Sequence, residues 1–370
     1  LLRAGRRHRV RFARSAGMPM IKACNIEFMD RDWVCAAQSH ASMRACASFE
    51  HVVNFSMPCG SLARNKQNCR LQYCRDACGN MVRDATVWIG TRSCDFAPGG
   101  FVVDALELPI FVRRAKTLRI VEEDGGCYRL VIVDDEERRH TWHARTSCGT
   151  FDGTLLDLLS VGSQPLPSAA CLDSIREAFR LHGKAQSPFM EDFARSPSVD
   201  GRMSKELVAN GMLFCDLMAS SAASSRAMSL VLSRIVGLGV GLTPSGDDFI
   251  IGALAIARAF SLSGGLGYAL VEIVDMLAQN TTRISQHYLM SAVRGRFSQS
   301  VVDAVHAVLC GDLHMSTGAS EASFRTLLNH GSTSGTDTLA GMVAMLQACS
   351  CSFHQDALSA SAMRHSQSAS

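Results

Sequence analysis

The chain has 370 residues, 47% of them hydrophobic and 19% charged, with a formal net charge of +3, which describes a globular protein with a sizeable core and room for two domains. The positive charge sits at one end: Arg3, Arg6, Arg7, Arg9, Arg11 and Arg14 occupy a start without acids. The rest of the chain is slightly acidic, so a basic nucleic-acid surface is not indicated, and the longest apolar run, Phe249 to Phe260, is too short to span a bilayer and contains Arg258.

Two readings of the first 20 residues stay open. They form an Arg-rich targeting peptide, or they precede a translation start at Met18 or Met20; either way a disordered tail is expected over 1–20. The 15 cysteines are an odd number with no secretory signal, which argues for reduced thiols in a cytoplasmic protein. Cys69, Cys74 and Cys78 are the tightest cluster, yet they lack the paired halves and downstream His of a structural zinc site.

Between residues 21 and 160 the pattern is that of strands and turns. Phe49 to Met57 is strand-like and ends in the turn signal Pro58-Cys59-Gly60. Ala85 to Gly90 and Gly100 to Val103 read as further strands. Leu118 to Val121 and Tyr128 to Val133 flank the acidic turn Glu122 to Gly126 and predict a hairpin, and Thr141 to Ala144 closes the sheet. Gly162 to Ser168 reads as a linker. After it the period changes, predicting helices over 173–181, 205–218, 223–236, 266–279, 298–309, 319–328 and 336–349. Residues 352–370 are polar and small, and are expected to be disordered. The fold class is therefore α+β: a β-rich domain over 21–160, then an all-helical domain over 161–351.

The helical half carries the chemistry. Gly237-Leu-Gly-Val-Gly-Leu-Thr243-Pro244-Ser245-Gly246-Asp247-Asp248 places glycines, a Thr-Pro-Ser start and two carboxylates ahead of an apolar helix. Glycines permit sharp turns and close approach, proline suits the first helical position, and Ser245 with Asp248 resembles a capping box. The amides of such a start favour anions. The device recurs: Ser334-Gly335-Thr336-Asp337-Thr338 repeats the Ser-Gly-x-Asp pattern, and in each copy a second glycine, Gly252 or Gly341, lies one turn after the Asp on the same face. This spacing predicts two glycine-notched helices that pack closely and bring both aspartates together. The plainer alternative is two capped core helices with small residues at their crossing.

Asp247 and Asp248 point in different directions on a helix, and Asp248, which heads the Gly252 stripe, takes the inward place with Asp337. With Thr243, Ser245, Thr336 and Thr338 they make an all-oxygen site of the kind magnesium accepts. Otherwise the carboxylates cap amides, and the amides and hydroxyls hold phosphate or a carboxylate. The sequence leaves both open, so the cofactor is unknown, with Mg2+ the one candidate. Arg283 suits an anionic oxygen pair, His287 suits acid–base work near neutral pH, and His330-Gly331-Ser332-Thr333-Ser334 has the make-up of a phosphate-cradling loop.

The strings Gly239 to Phe249, Thr282-Arg283-Ile284-Ser285 and His330 to Gly341 resemble the AllH family, which includes a subunit of bacterial oxamate carbamoyltransferase. Val53-Asn54-Phe55 is similar to its N-terminal region. The resemblance implies conversion of oxalurate and phosphate to oxamate and carbamoyl phosphate in allantoin catabolism, and obligate partner subunits. On that reading Asp248, Asp337 and His287 are the expected catalytic residues. Gly241, Thr243, Ser245, Gly246, Asp247, Arg283, Ser334, Gly335, Thr336 and Thr338 are expected around a small anionic ligand (phosphate, carbamoyl phosphate or oxamate). Neither nucleic acid nor membrane is expected as a partner. Two rivals remain: a non-catalytic assembly subunit, and a magnesium-dependent hydrolase, since Gly-Asp-Asp and Gly-Thr-Asp-Thr also resemble the dimagnesium site of ADP-ribosylglycohydrolases.

Overall fold

A computed structural model describes residues 24–58, 84–146, 166–190, 202–220, 222–262, 265–309 and 319–368. The Arg-rich tail and the Cys69, Cys74 and Cys78 cluster lie outside these residues, as does most of the expected linker. The described cysteines Cys24, Cys46, Cys94, Cys127, Cys171, Cys215, Cys349 and Cys351 are free thiols.

The β-rich half closes on itself. Strands β1 (Cys24–Met29), β2 (Ser42–Ser48), β3 (Val52–Pro58), β4 (Asp84–Thr91), β5 (Gly100–Val103), β6 (Ala115–Glu123), β7 (Cys127–Asp134) and β8 (Arg139–Thr146) form a barrel in the order β1-β5-β4-β3-β2-β6-β7-β8. Its seam is the parallel pairing of β8 with β1, which brings Ala144 beside Cys24. Strict alternation, clearest in β7, buries Tyr128, Leu130, Ile132 and Asp134, and the first three join Phe55, Phe101, Leu118 and Trp142 in one core. The expected hairpin is present, β6 pairing with β7 from Ala115–Asp134 to Glu123–Cys127. Gly125 and Gly126 turn it at φ 73 and 72, angles that suit glycine.

In this half four elements escaped the sequence pattern: β1, β2 and the helices α1 (Arg31–Ser39) and α2 (Ile110–Arg113). β2 reads Ser-Met-Arg-Ala-Cys-Ala-Ser and has no β-branched residue to announce it. It exists because β3 and β6 pair on either side.

The helical half comprises α3 (Ala169–His182), α4 (Arg202–Ala219), α5 (Ser225–Leu232), α6 (Ser245–Ala259), α7 (Leu266–Asn280), α8 (Arg283–Val293), α9 (Gln299–Leu309), α10 (Ala319–Leu328) and α11 (Ser334–Ser368). The α6 helix is buried on almost every side, as an all-apolar helix must be, and α11 packs along it. The sequence pattern missed one helix, α8, and ended another too early. The polar cluster from Thr281 starts a helix rather than ending one. Thr281 and Thr282 are extended, and the Thr282 hydroxyl accepts from Ser285 N as the N-cap of α8. The last helix runs on to Ser368 where disorder was expected; residues 350–368 contain no Gly or Pro to stop it. Among the described residues no helix is long and apolar enough to cross a membrane.

Barrel and helices are joined by polar contacts. Arg296 Nη2 meets Asp30 Oδ2 at 2.6 Å with side chains 5% and 0% exposed. From the barrel, Asp95 accepts from Ser300 Oγ at 2.5 Å at the start of α9, and the Phe96 carbonyl accepts from Gln299 N.

Candidate functional site

The two Ser-Gly-x-Asp starts lie side by side. A Cβ on Gly252 would stand 1.9 Å from the Thr338 carbonyl oxygen, and one on Gly341 would stand 2.0 Å from the Phe249 carbonyl oxygen. Each helix thus presses its backbone into the other's glycine notch. Both starts lie on the same side of this contact, with Ser245 reaching Asp337 and Ser334 reaching Asp248, so the two N-termini sit at one end. Thr243 Oγ1 and Ser334 Oγ share a hydrogen bond of 2.8 Å that links the two starts. Two further glycines seat the starts on what precedes them: a Cβ on Gly246 would meet Ile235 O at 2.1 Å, and one on Gly335 would meet Leu327 O at 1.8 Å.

Three aspartates are buried here, and they do different things. Asp247 holds the scaffold. Its Oδ1 accepts from Gly237 N at 2.8 Å, and its Oδ2 accepts from Ser285 Oγ at 2.5 Å and from the Thr281 hydroxyl. It therefore ties the glycine loop to the start of α8, and is committed to that task rather than open to a ligand. Asp248 and Asp337 are 5% and 0% exposed. Ser187 Oγ donates to Asp337 Oδ1 at 2.5 Å, but among the described residues no donor completes a hydrogen bond to Oδ2 of Asp248 or of Asp337. Buried polar atoms are rarely left so. Burial raises the Asp337 carboxyl to about 6 against the pull of the Ser187, Ser245 and Thr333 hydroxyls. Burial, then repulsion from Asp337, raises the Asp248 carboxyl further, while Ser334 and Thr243 favour its charged form.

The helix starts are less open than the sequence suggests. Pro244 is the N-cap of α6, with no side-chain cap, so Ser245 and Asp248 form no capping box. Gly246 N donates to Leu238 O, and the amides of Asp247 and Asp248 to Pro244 O; Gly335 N and Asp337 N donate to His330 O and Thr333 O. These amides are therefore engaged within the chain. Thr336 is also occupied, its Oγ1 accepting from Lys184 N at 3.0 Å, and buried Thr338 lends its carbonyl to the Gly252 notch. Thr243 and Ser334 are half-buried at the mouth, beside an exposed loop tip at Val240, Gly241 and Leu242. Gly241 has φ +106 and open space around it. The Thr282 hydroxyl donates to Leu242 O and moors that loop.

His287 and Arg283 lie toward the barrel. His287 Nε2 donates to the Pro98 carbonyl at 2.9 Å, and burial lowers its pKa, so the ring is neutral and fixed between the halves. Arg283 starts α8 on an exposed turn, where its charge favours the thiolate of Cys46 on β2 although burial keeps that thiol raised. Sequence reasoning missed Ser187 and Lys184, and met Ser285 only as part of the Thr282–Ser285 string without its tie to Asp247. Their contacts join residues far apart in the chain, and nothing local marks them.

A magnesium site does not fit these residues. Among the described residues no group of three or more His, Cys, Asp or Glu gathers as a metal site, and the other oxygens around the Asp248–Asp337 pair are hydroxyls already engaged with the carboxyls or with each other.

No solved structure matches the chain. The segment that builds the paired helix starts, residues 235–346, matches the model of the AllH family, described as oxamate carbamoyltransferase subunit AllH.

Proposed function

We propose that the chain is a subunit of an oxamate carbamoyltransferase, with the paired starts of α6 and α11 as the seat of carbamoyl transfer. One observation carries this reading: two buried carboxyls with unpartnered Oδ2 atoms converge inside the family-matched segment. Such atoms call for a partner, and a carbamoyl or ureido group brings N–H donors of the right kind. Thr243, Ser245 and Ser334 supply hydroxyls to phosphate oxygens, and the two helix N-termini add a favourable field for negative charge. The Gly239–Gly241 turns let the loop tip follow a ligand. Arg283 adjoins Thr282, which holds that loop, and is placed to receive a substrate carboxylate. Catalysis here rests on orientation and on stabilising charge at transferring oxygens. Partner subunits complete the enzyme.

The test is calorimetric titration of the purified chain with carbamoyl phosphate, and with phosphate, for the wild type, Thr243→Val and Ser334→Ala. Binding that weakens at least tenfold in both variants supports a ligand site on this chain. Absence of binding, together with full activity of a reconstituted complex containing Thr243→Val/Ser334→Ala, assigns the chain to assembly alone.

A further inference from the structure

The unpartnered carboxyls pose a charge problem that fixed geometry cannot relax. The reciprocal glycine contacts leave the helices no freedom to close further, and neither side chain reaches solvent. Asp337, Asp247, Ser334 and Thr243 act on Asp248. Ser187, from the loop after α3, acts on Asp337 with Ser245 and Thr333. Tyr288 on α8 lies within the field of Asp248 and is itself raised, chiefly by burial. These groups are hydroxyls and acids. The two helix starts together offer roughly one positive charge, against two negative ones if both carboxyls ionise. About one negative charge is left over, and no cationic side chain is among the described groups that act on the pair. A proton on one carboxyl removes it.

We propose that Asp248 and Asp337 hold a single proton between them at neutral pH, carried by Asp248, and that the pair is the acid–base couple of carbamoyl transfer. The second half rests on the transferase reading above. Asp337 is the ionised member because Ser187 already donates to it. In the transfer, an oxygen of hydrogen phosphate attacks the ureido carbonyl carbon. The new C–O bond forms, the C–N bond breaks, and the nitrogen leaves with the bonding pair. Asp337 takes the proton of the attacking phosphate, and Asp248 gives its proton to the leaving nitrogen. The pair begins and ends with one proton, now on Asp337, and returns to the start by passing it across. A reaction that takes one proton and gives one suits a couple holding one.

Infrared spectroscopy of the full chain labelled with carboxyl-13C aspartate tests this, as protonated and ionised carboxyls absorb separately. At neutral pH a protonated band is expected in the wild type, and is expected to be lost in Asp248→Asn and in Asp337→Asn, since either change removes the surplus charge. No such band in the wild type, its persistence in Asp248→Asn, or its loss on adding magnesium chloride overturns the proposal. Should Asp248→Asn fail to fold, the wild-type pH titration decides: two separated steps support a shared proton, and one joint step refutes it. The readout needs no ligand. A protonated band without carbamoyl phosphate binding sinks the transferase reading alone, whereas binding without the band sinks the shared proton alone.

Discussion

Replacing Gly252 by alanine probes the helix pair directly. In an ordinary helix interior the change is favourable by about 0.5–1 kcal/mol. Here the new Cβ would lie 1.9 Å from Thr338 O, 2.8 Å from its carbonyl carbon and 3.1 Å from Met342 N. All three are backbone atoms, so no side-chain rotation relieves the overlap. To reach 3.0 Å, below which real Cβ contacts are essentially never found, the helices must part by about 1.1 Å. Overpacking of a tight core costs about 1–3 kcal/mol, and a rigid backbone obstacle puts this case at the upper end. Less the propensity gain, the expected loss is about 2 kcal/mol. Gly341→Ala meets Phe249 O at 2.0 Å and should behave alike. Because one displacement relieves both, the double variant should lose less than the sum. Gly267→Ala in α7, with nothing within 4 Å of the added carbon, is the control and should gain up to about 1 kcal/mol. Urea unfolding measures all four. If Gly252→Ala is as stable as the wild type while Gly267→Ala behaves as stated, the close approach of α6 and α11 is wrong.

Four further outcomes follow from named contacts. Asp247→Ala strands Gly237 N, Thr281 and Ser285 and should cost about 2–3 kcal/mol in urea unfolding; a loss under about 1 kcal/mol would contradict its scaffold role. Arg296→Ala leaves the Asp30 carboxylate buried without its ion-pair partner and should cost about 3–5 kcal/mol; a loss near zero would refute the joint. The Asp337 carboxyl rises from 3.8 to about 6 on folding, so the folded chain keeps a proton that the unfolded chain releases. Stability should fall as pH rises through that window, by up to about 3 kcal/mol. Asp337→Asn should flatten the slope, and an unchanged slope would refute the assignment. Asp134 has the opposite sign: despite burial, His140 and Arg138 depress its carboxyl, so its contribution is lost as pH falls below the ordinary carboxylate range.

What was legible in the sequence is what chemistry makes unusual. Glycines one turn after an Asp, twice over, announced a close crossing, and Gly252 and Gly341 do interlock. The choice of Asp248 over Asp247 as the inward residue followed from the face shared with Gly252. Illegible were the partners supplied by tertiary contact. Ser187 reaches Asp337 across the fold, and Ser285 reaches Asp247 only because Thr282 starts a new helix. The capping box failed for a related reason: Ser245 begins α6 after Pro244 has capped it, and its hydroxyl turns to the neighbouring helix's Asp337. His287 has the residue type of an acid–base group but the place of a strut, its Nε2 fixed on the barrel's Pro98.

The two starts correspond residue for residue, and their differences assign their roles. Gly246 and Gly335 both press against a preceding carbonyl. The next positions, Asp247 and Thr336, both accept a backbone amide, Asp247 from its own glycine loop and Thr336 from the loop after α3. Asp248 and Asp337 both keep an unpartnered Oδ2. Symmetry ends at the other oxygen. Asp337 receives Ser187 from outside the pair, whereas Thr243 and Ser334, the hydroxyls that act on Asp248, are tied to each other across the mouth. A donor held by its own neighbour stabilises a charge less than one aimed at it. The repeat therefore brings two equal carboxyls together, and the unequal hydroxyls around them supply the asymmetry that a proton donor and a proton acceptor require.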